Sequence, residues 1–337
     1  MKNWHPSIFG RWFVAARAAR VRSKPLAVTV LDRPLVLARL RSGEILALED
    51  RCPHRQAPLS QGRIVSQGIQ CPYHGWTFAA NGRCTSIPGL ASGECLPKVG
   101  ARAVAVIELD GMVWVRLSVG DTAPPKMIVD LPVDSRRFLW QTSWGSSVID
   151  AIENFLDPLH THSIHPGLVR KDGPRGPVRV SLSTTADGFM LDYQGQPKQT
   201  GILFRLFESP RESERAYFAG AGSAQIEYRY VNGSVVRITL HFTPESANRT
   251  HVFTTMHVEN RWAPAWAVRA FVWPFLRQVA RQDQRILELQ AENMKRFTKA
   301  PGVSTRLDIV RENLENIWLH GGPLDPIIAN KEEIVFL

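Results

Sequence analysis

Two short stretches carry the residues best suited to bind a metal. Cys52-Pro53-His54 holds a thiol and an imidazole one residue apart, and Cys71-Pro72-Tyr73-His74 repeats the pair with two residues between them. Sixteen residues separate the pairs. Two thiolates and two imidazoles are the donor set of a Rieske-type [2Fe-2S] centre, in which the cysteines hold one iron and the histidines the other. Neutral imidazole in place of thiolate removes negative charge, which raises the reduction potential. The same donors suit a Cys2His2 zinc site, but zinc knuckles usually gather both cysteines in one loop and both histidines in the other. Here each loop has one of each, so the cluster is the expected occupant. Pro53, Pro72, Gly62 and Gly75 fit two tight loops whose amides turn towards the sulfurs.

A second group of donors lies near residue 150. Ser147 followed by Asp150 has the pattern of a helix N-cap with its acidic partner, and the helix it starts is expected to continue through Pro166. Along that run Glu153, Asp157 and His160 fall at i, i+4 and i+7, on one helical face. Pro158 must kink or break the ladder. His160 and His165 would diverge on a straight helix, whereas a bend lets both imidazoles meet one metal. Two neutral histidines plus a carboxylate, with coordination positions left open, form the facial triad of non-haem Fe(II) oxygenases. His162 offers an alternative pairing with His165 at i+3. It is read instead as a residue behind the ligands or at the surface.

The run Cys52 to Gly62 followed by Cys71 to Trp76 resembles the Rieske domain of the Rieske non-haem iron oxygenases, and Trp12 to Ala16 and Asp32 to Asp50 resemble the strands before its first loop. The helix motif of that family, Glu-Asn and then Asp-x-x-His-x4-His, is matched by Glu153-Asn154, Asp157, His160 and His165; its late helix motif is matched by Arg281 to Gln290. The resemblance implies that Cys52, His54, Cys71 and His74 hold the cluster, and that His160, His165 and Asp283 hold a mononuclear Fe(II). It places Asn154 and Asp157 at the catalytic site, Asp157 hydrogen-bonding a ligand histidine and bridging towards a Rieske histidine. Glu288 is the fallback for Asp283, and otherwise a solvated helix acid.

The chain is most similar to the shorter, homotrimeric members of the vanillate O-demethylase and dicamba monooxygenase type. That likeness implies an α+β protein: an antiparallel β Rieske domain at residues 1–120, then a catalytic domain at 121–337 with a curved antiparallel sheet covered by helices. It implies a monooxygenase or dioxygenase with O2 as co-substrate, which hydroxylates or oxidatively demethylates an apolar, aromatic or polycyclic small molecule. Electrons come from a separate ferredoxin or flavin reductase. No nicotinamide or flavin fingerprint occurs in this chain, so NAD(P)H enters only through that partner. The competing class is a Rieske electron carrier whose second domain is a ligand-binding or docking module, which requires the His160, His165 and Asp283 motif to be vestigial.

These donors need scaffolds. A chain of 337 residues, 44% of them apolar, is long enough for two domains with cores of their own. No run approaches the ~20 apolar residues of a membrane span, and the N-terminus lacks the order of a signal peptide, so a soluble cytoplasmic protein is expected. The net charge of +10 is concentrated in residues 1–120, where sixteen Lys and Arg face seven Asp and Glu. No nucleic-acid-binding signature accompanies it. An acidic redox partner or an ordinary solvated surface accounts for the charge. Cys84 and Cys95 are expected as free thiols.

Short alternating segments, among them Leu26 to Leu31, Leu35 to Leu40 and Val113 to Leu117, predict the first β domain. Asn81-Gly82 marks a hairpin, and Asp121 to Lys126 reads as the linker. After a strand from Arg137 to Ser143, alternation at 178–182, 189–193, 226–230, 235–242 and 251–258 predicts an antiparallel sheet, with a hairpin at Asn232-Gly233. His241, His251 and His257 are read as sheet-face histidines. The aromatic segment Trp262 to Leu276 is read either as the mouth of an apolar pocket or as core. A helix from Phe275 to about Phe297 follows, and the tail beyond Pro301 shows one amphipathic stretch, Asp308 to Trp318.

Overall fold

The computed structural model describes residues 4–66, 68–91, 93–120, 123–125, 136–170, 173–197, 201, 209–259, 265–297, 302–322 and 331–337. Half of the proposed linker, residues 121, 122 and 126, lies outside these residues, as do Trp262 and Pro264. Two compact units make up the chain, one from residues 6–126 with 243–246 and the other from the remainder.

The first unit contains ten short strands: β1 (Phe13–Arg17), β2 (Leu26–Val30), β3 (Arg33–Arg39), β4 (Ile45–Glu49), β5 (Arg63–Val65), β6 (Gly68–Gln70), β7 (Thr77–Phe78), β8 (Cys84–Ser86), β9 (Ala105–Leu109) and β10 (Met112–Arg116). They form three antiparallel sheets in the orders β1-β10-β9, β2-β3-β4 and β5-β6-β7-β8. Leu31 and Asp32 both adopt positive φ between β2 and β3, the two-residue geometry whose twist matches a hairpin. At the Asn81-Gly82 turn, Gly82 has φ +81° and its amide donates to Ala79 O, while Arg83 N donates to Asn81 Oδ1. Leu46, Leu48, Leu59, Ile69 and Phe78 are fully buried and pack with Cys52 and Cys71. The loops that carry the two Cys-His pairs thus stand directly on a hydrophobic core.

The second unit holds an eight-stranded antiparallel sheet: β11 (Arg136–Trp144), β12 (Pro177–Thr185), β13 (Gly188–Gln194), β14 (Arg211–Ala219), β15 (Ser223–Tyr230), β16 (Val235–Ser246), β17 (Arg249–Glu259) and β18 (Lys331–Phe336). Their order is β11-β17-β16-β15-β14-β13-β12-β18. Helices α1 (Val148–Leu156), α2 (Thr161–Ile164), α3 (Trp273–Arg296) and α4 (Arg311–Glu315) accompany it, with α1 packed against β15 and β17. No helix among the described residues is long and apolar enough to cross a membrane.

Three expectations need correction. The helix begun at Ser147 stops at Leu156 instead of reaching Pro166, because Pro158 has no N–H to give the ladder and disfavours helical backbone just before it. Asp157 and His160 therefore flank α1 and α2 and do not share a helical face with Glu153. Helical structure also begins before Pro274: residues 265–267 are helical and a π-type turn, Val268–Val272, leads into α3. Finally, β14 and β18 have no counterpart in the expected strands. Both carry charged residues where apolar ones would have marked a strand, and in β14 the buried Glu214 is neutralised by Arg211.

Candidate metal centres

The first centre lies in the loops after β4 and β6. Cys52 N donates to Ala57 O at 2.8 Å and Gln56 N to Cys52 O at 2.9 Å, so residues 52–57 close on themselves. Cys71 N donates to Trp76 O at 2.8 Å, and Gly75 at φ +73° lets the second loop turn. Ser60 anchors the first loop through two 2.6 Å hydrogen bonds to Asp50. Both cysteines are buried, and burial pushes the Cys52 thiol up, with the adjoining Cys71 thiol adding to the effect. The His54 and His74 rings lie 4.7 Å apart at 62°, and Trp76 stacks on His54 at 4.6 Å. Partial desolvation, His74 and Arg55 hold His54 below its usual pKa, in the neutral form a metal needs. Its Nδ1 is buried without a hydrogen-bond partner. Two paired thiols and an orphaned imidazole nitrogen fit a [2Fe-2S] cluster held by Cys52, His54, Cys71 and His74. None of the four cysteines forms a disulfide; Cys84 is buried and Cys95 exposed.

The second centre is assembled from α1, α2 and α3. Ser147 caps α1, its Oγ accepting from Asp150 N at 3.2 Å. At the other end Asp157 turns the chain: its N donates to Glu153 O, and its Oδ1 accepts from Leu159 N at 2.8 Å. Tyr193, buried on β13, donates its hydroxyl to Leu156 O at 2.9 Å and fixes the last turn of α1. Burial raises the pKa of that hydroxyl well above its usual value, so it stays a donor. The short helix α2 then separates His160 from His165 and points both at α3.

There, donor atoms of His160, His165 and Asp283 lie within 4.8 Å of one another. Asp283 Oδ1 is 3.0 Å from His165 Nε2 and 3.4 Å from His160 Nε2, yet makes no hydrogen bond to either. A buried carboxylate oxygen left in that position fits a shared cation, and the donor set is that of a 2-His-1-carboxylate Fe(II) site. For His160, burial acts to lower the pKa, but Asp157 and Asp283 outweigh it and the net shift is upward. Asp157 Oδ2 stands 3.8 Å from His160 Nδ1. Glu288 is engaged elsewhere, accepting from Gln284 Nε2 at 2.8 Å. His162 is buried and outside the converging trio, and His241, with its Nδ1 2.8 Å from Ser223 Oγ, is held within the sheet.

A cavity of about 620 Å³ opens onto the trio. His160, His165, Asp283 and Asn154 form part of its wall, whose apolar surface comes from Trp140, Phe155, Ile238, Leu240 and Met256 among others. Of the aromatic segment, Phe271 and Phe275 line this cavity, while Trp273 packs edge-on against Trp140 at 4.3 Å. Both readings of that segment therefore apply, to different residues. A polar patch of the wall includes Glu214, paired with Arg211, whose guanidinium lies 4.4 Å over the Tyr228 ring. The sequence reading missed this patch, Tyr193, and Gln282, whose Oε1 lies 2.9 Å from His165 Nδ1. The only signal for Gln282 was its place immediately before Asp283.

Comparison with known proteins agrees with this architecture. A Rieske [2Fe-2S] domain model matches residues 11–105, and a vanillate O-demethylase oxygenase C-terminal domain model matches residues 147–311. The dicamba O-demethylase oxygenase component of Stenotrophomonas maltophilia is 34% identical over 168 residues, 48% of each chain. Methylxanthine N1-demethylase NdmA of Pseudomonas putida is 34% identical over 146 residues, 42% of this chain and 41% of that protein. The chain thus spans about half the length of the curated relatives it matches. Dicamba monooxygenase bound to 3,6-dichlorosalicylic acid has the same fold, with a TM-score of 0.76 at 21% identity over 92% of this chain and 98% of that one. Pseudomonas putida NdmA with caffeine gives 0.76 at 23% identity, over 92% and 90%. With a Rieske domain followed by a vanillate O-demethylase-type oxygenase domain on this fold, the chain belongs to the Rieske non-haem iron oxygenases.

Proposed function

We propose that the chain is the terminal oxygenase component of a multi-component system. It accepts electrons from a separate ferredoxin or flavin reductase and uses O2 to hydroxylate or oxidatively demethylate an apolar small molecule in the cytoplasm. The observation that carries this reading is the 620 Å³ cavity with His160, His165 and Asp283 in its wall. An electron carrier with a ligand-binding second domain could use such a cavity, but it has no use for a converging His160, His165 and Asp283 in its wall. The demethylase names of the two relatives above support oxidative demethylation as the first reaction to test.

Each group of residues has a role in this reading. Cys52, His54, Cys71 and His74 hold the cluster; His160, His165 and Asp283 hold the mononuclear iron. When bound, the cluster supplies single electrons and the mononuclear iron supplies the open positions at which O2 is activated. The apolar wall binds the substrate's hydrocarbon body and excludes water, and Asn154 presents its buried Oδ1, which has no hydrogen-bond partner, beside the site. Asp157, 3.8 Å from His160 Nδ1, would orient that ring and would stand at the crossing from a neighbouring copy, whose cluster would supply the electrons. A head-to-tail homotrimer supplies that neighbour.

The test is iron and acid-labile sulfide per chain after anaerobic purification, with EPR of the reduced protein. About three irons to two sulfides and a Rieske-type signal are expected. About two irons to two sulfides, unchanged by added Fe(II), would point to the electron carrier. Zinc without sulfide would refute both readings.

A further inference from the structure

Helix α3 meets His165 twice, through adjacent residues. Gln282 Oε1 lies 2.9 Å from Nδ1, and Asp283 Oδ1 lies 3.0 Å from Nε2. Consecutive helical residues project about 100° apart, so one helix can reach both nitrogens of a ring laid across it. An amide oxygen only accepts, so the 2.9 Å contact requires the proton on Nδ1. That leaves Nε2 unprotonated, 3.0 Å from the Asp283 carboxylate and available to a cation the two would share. The His165 side chain is 1% exposed, so water cannot stand in for Gln282. His160 is held more loosely, with 18% side-chain exposure and 3.8 Å between its Nδ1 and Asp157.

We infer that Gln282 is a positioning residue that locks His165 in the Nδ1–H tautomer and so keeps Nε2 available to the mononuclear metal. The competing state has the proton on Nε2, 3.0 Å from Asp283 Oδ1, where it withdraws that nitrogen from any metal. Without an acceptor at position 282, the buried Nδ1 is better off unprotonated, and this metal-free pair becomes the favoured arrangement. Gln282 is also neutral. It orients the ring without adding a second negative charge beside Asp283, which a carboxylate here would do.

The inference rests on the reading of His160, His165 and Asp283 as ligands, and one titration separates the two. Mononuclear iron is removed with a mild chelator, the cluster's visible spectrum serves as the control for folding, and Fe(II) is added back anaerobically to the wild type, Gln282→Leu and Gln282→Glu. Gln282→Leu is expected to weaken Fe(II) binding about 10- to 100-fold, the usual effect of losing an outer partner of a ligand histidine. Gln282→Glu, which restores an acceptor, should bind at least as tightly as the wild type and lower the ferric/ferrous potential of the mononuclear site. If Gln282→Leu binds like the wild type, or Gln282→Glu is as weak as Gln282→Leu, the positioning role is wrong. If the wild type takes up no Fe(II), the ligand assignment fails and the inference falls with it.

Discussion

Arg311, on α4, offers the sharpest test of how the second centre is braced. Its guanidinium bonds Asp150 at 2.6 Å and Glu153 at 2.8 Å, both on α1, and Glu315 at 2.7 Å on its own helix. Three carboxylates hold its pKa above its already high value. Replacement by Met keeps the aliphatic packing and removes the charge. Breaking a buried pair costs about 3–5 kcal/mol. Because Arg311 is 26% exposed, Glu153 24% and Glu315 41%, solvent screening reduces this to a total of about 2–3 kcal/mol. For a unit of this size, about 2–4 °C of Tm per kcal/mol gives a fall of about 4–12 °C.

The pH dependence identifies the cause. Burial already raises the Glu153 pKa above 4.5, against the opposing effect of Arg311, and removing Arg311 raises it further. A carboxyl with a raised folded pKa takes up its proton more readily in the native state than in the unfolded one. Its stabilising protonation is present at acid pH and lost as pH rises through the folded value. The gap between wild type and Arg311→Met should therefore be wider at pH 8 than at pH 5. Thermal unfolding followed by circular dichroism at both pH values measures it. An equal gap at the two pH values, or no loss at all, would show that the guanidinium does not brace α1 through its charge.

Other perturbations reach different parts of the molecule. Asp283→Ala should lose the mononuclear iron yet keep the cluster spectrum, read as a fall from about three to about two irons per chain. Asp157→Asn should retain both metals and slow electron transfer into the mononuclear site in single-turnover kinetics; an unchanged rate would remove Asp157 from the crossing. Gly82→Ala would place a Cβ 1.8 Å from Ala101 O at φ +81°. The left-handed backbone alone costs about 1–2 kcal/mol, so the cluster's visible absorbance should bleach at a lower temperature than in the wild type.

The candidate cluster ligands were legible because their chemistry is local: the donor types and the spacing within each loop point to the occupant, and the turn residues beside them set the loops. The hairpins at Asn81-Gly82 and Asn232-Gly233 were legible for the same reason, since the positive φ such turns demand falls to glycine at Gly82 and Gly233. The later strands were harder. On β15 and β16, Gln225, Glu227, Arg237 and Thr239 are buried on the face opposite Ile226, Ile238 and Leu240, and Glu227 pairs with Arg237 at 2.7 Å. A polar face buried in this way does not disturb alternation. In β14 the charge lies on the other face: buried Glu214 shares the side of Ala216 and Phe218, where an apolar residue would have marked the strand.

The candidate third ligand and its setting depended on the fold. His160 and His165 are separated from Asp283 by more than a hundred residues, and Asp283 and Glu288 offer the same carboxylate on the same helix. Only the packing of α3 turns Asp283 towards the imidazoles and leaves Glu288 with Gln284. Gln282 is a common surface amide until the buried Nδ1 of His165 gives it a partner. Sequence alone determined which donors are present and which of them lie in one loop, because those are properties of neighbouring residues. The tertiary structure decided which distant donors converge, which acceptor a buried ring nitrogen meets and what cavity the trio faces, because each depends on direction and burial set by elements far apart in the chain.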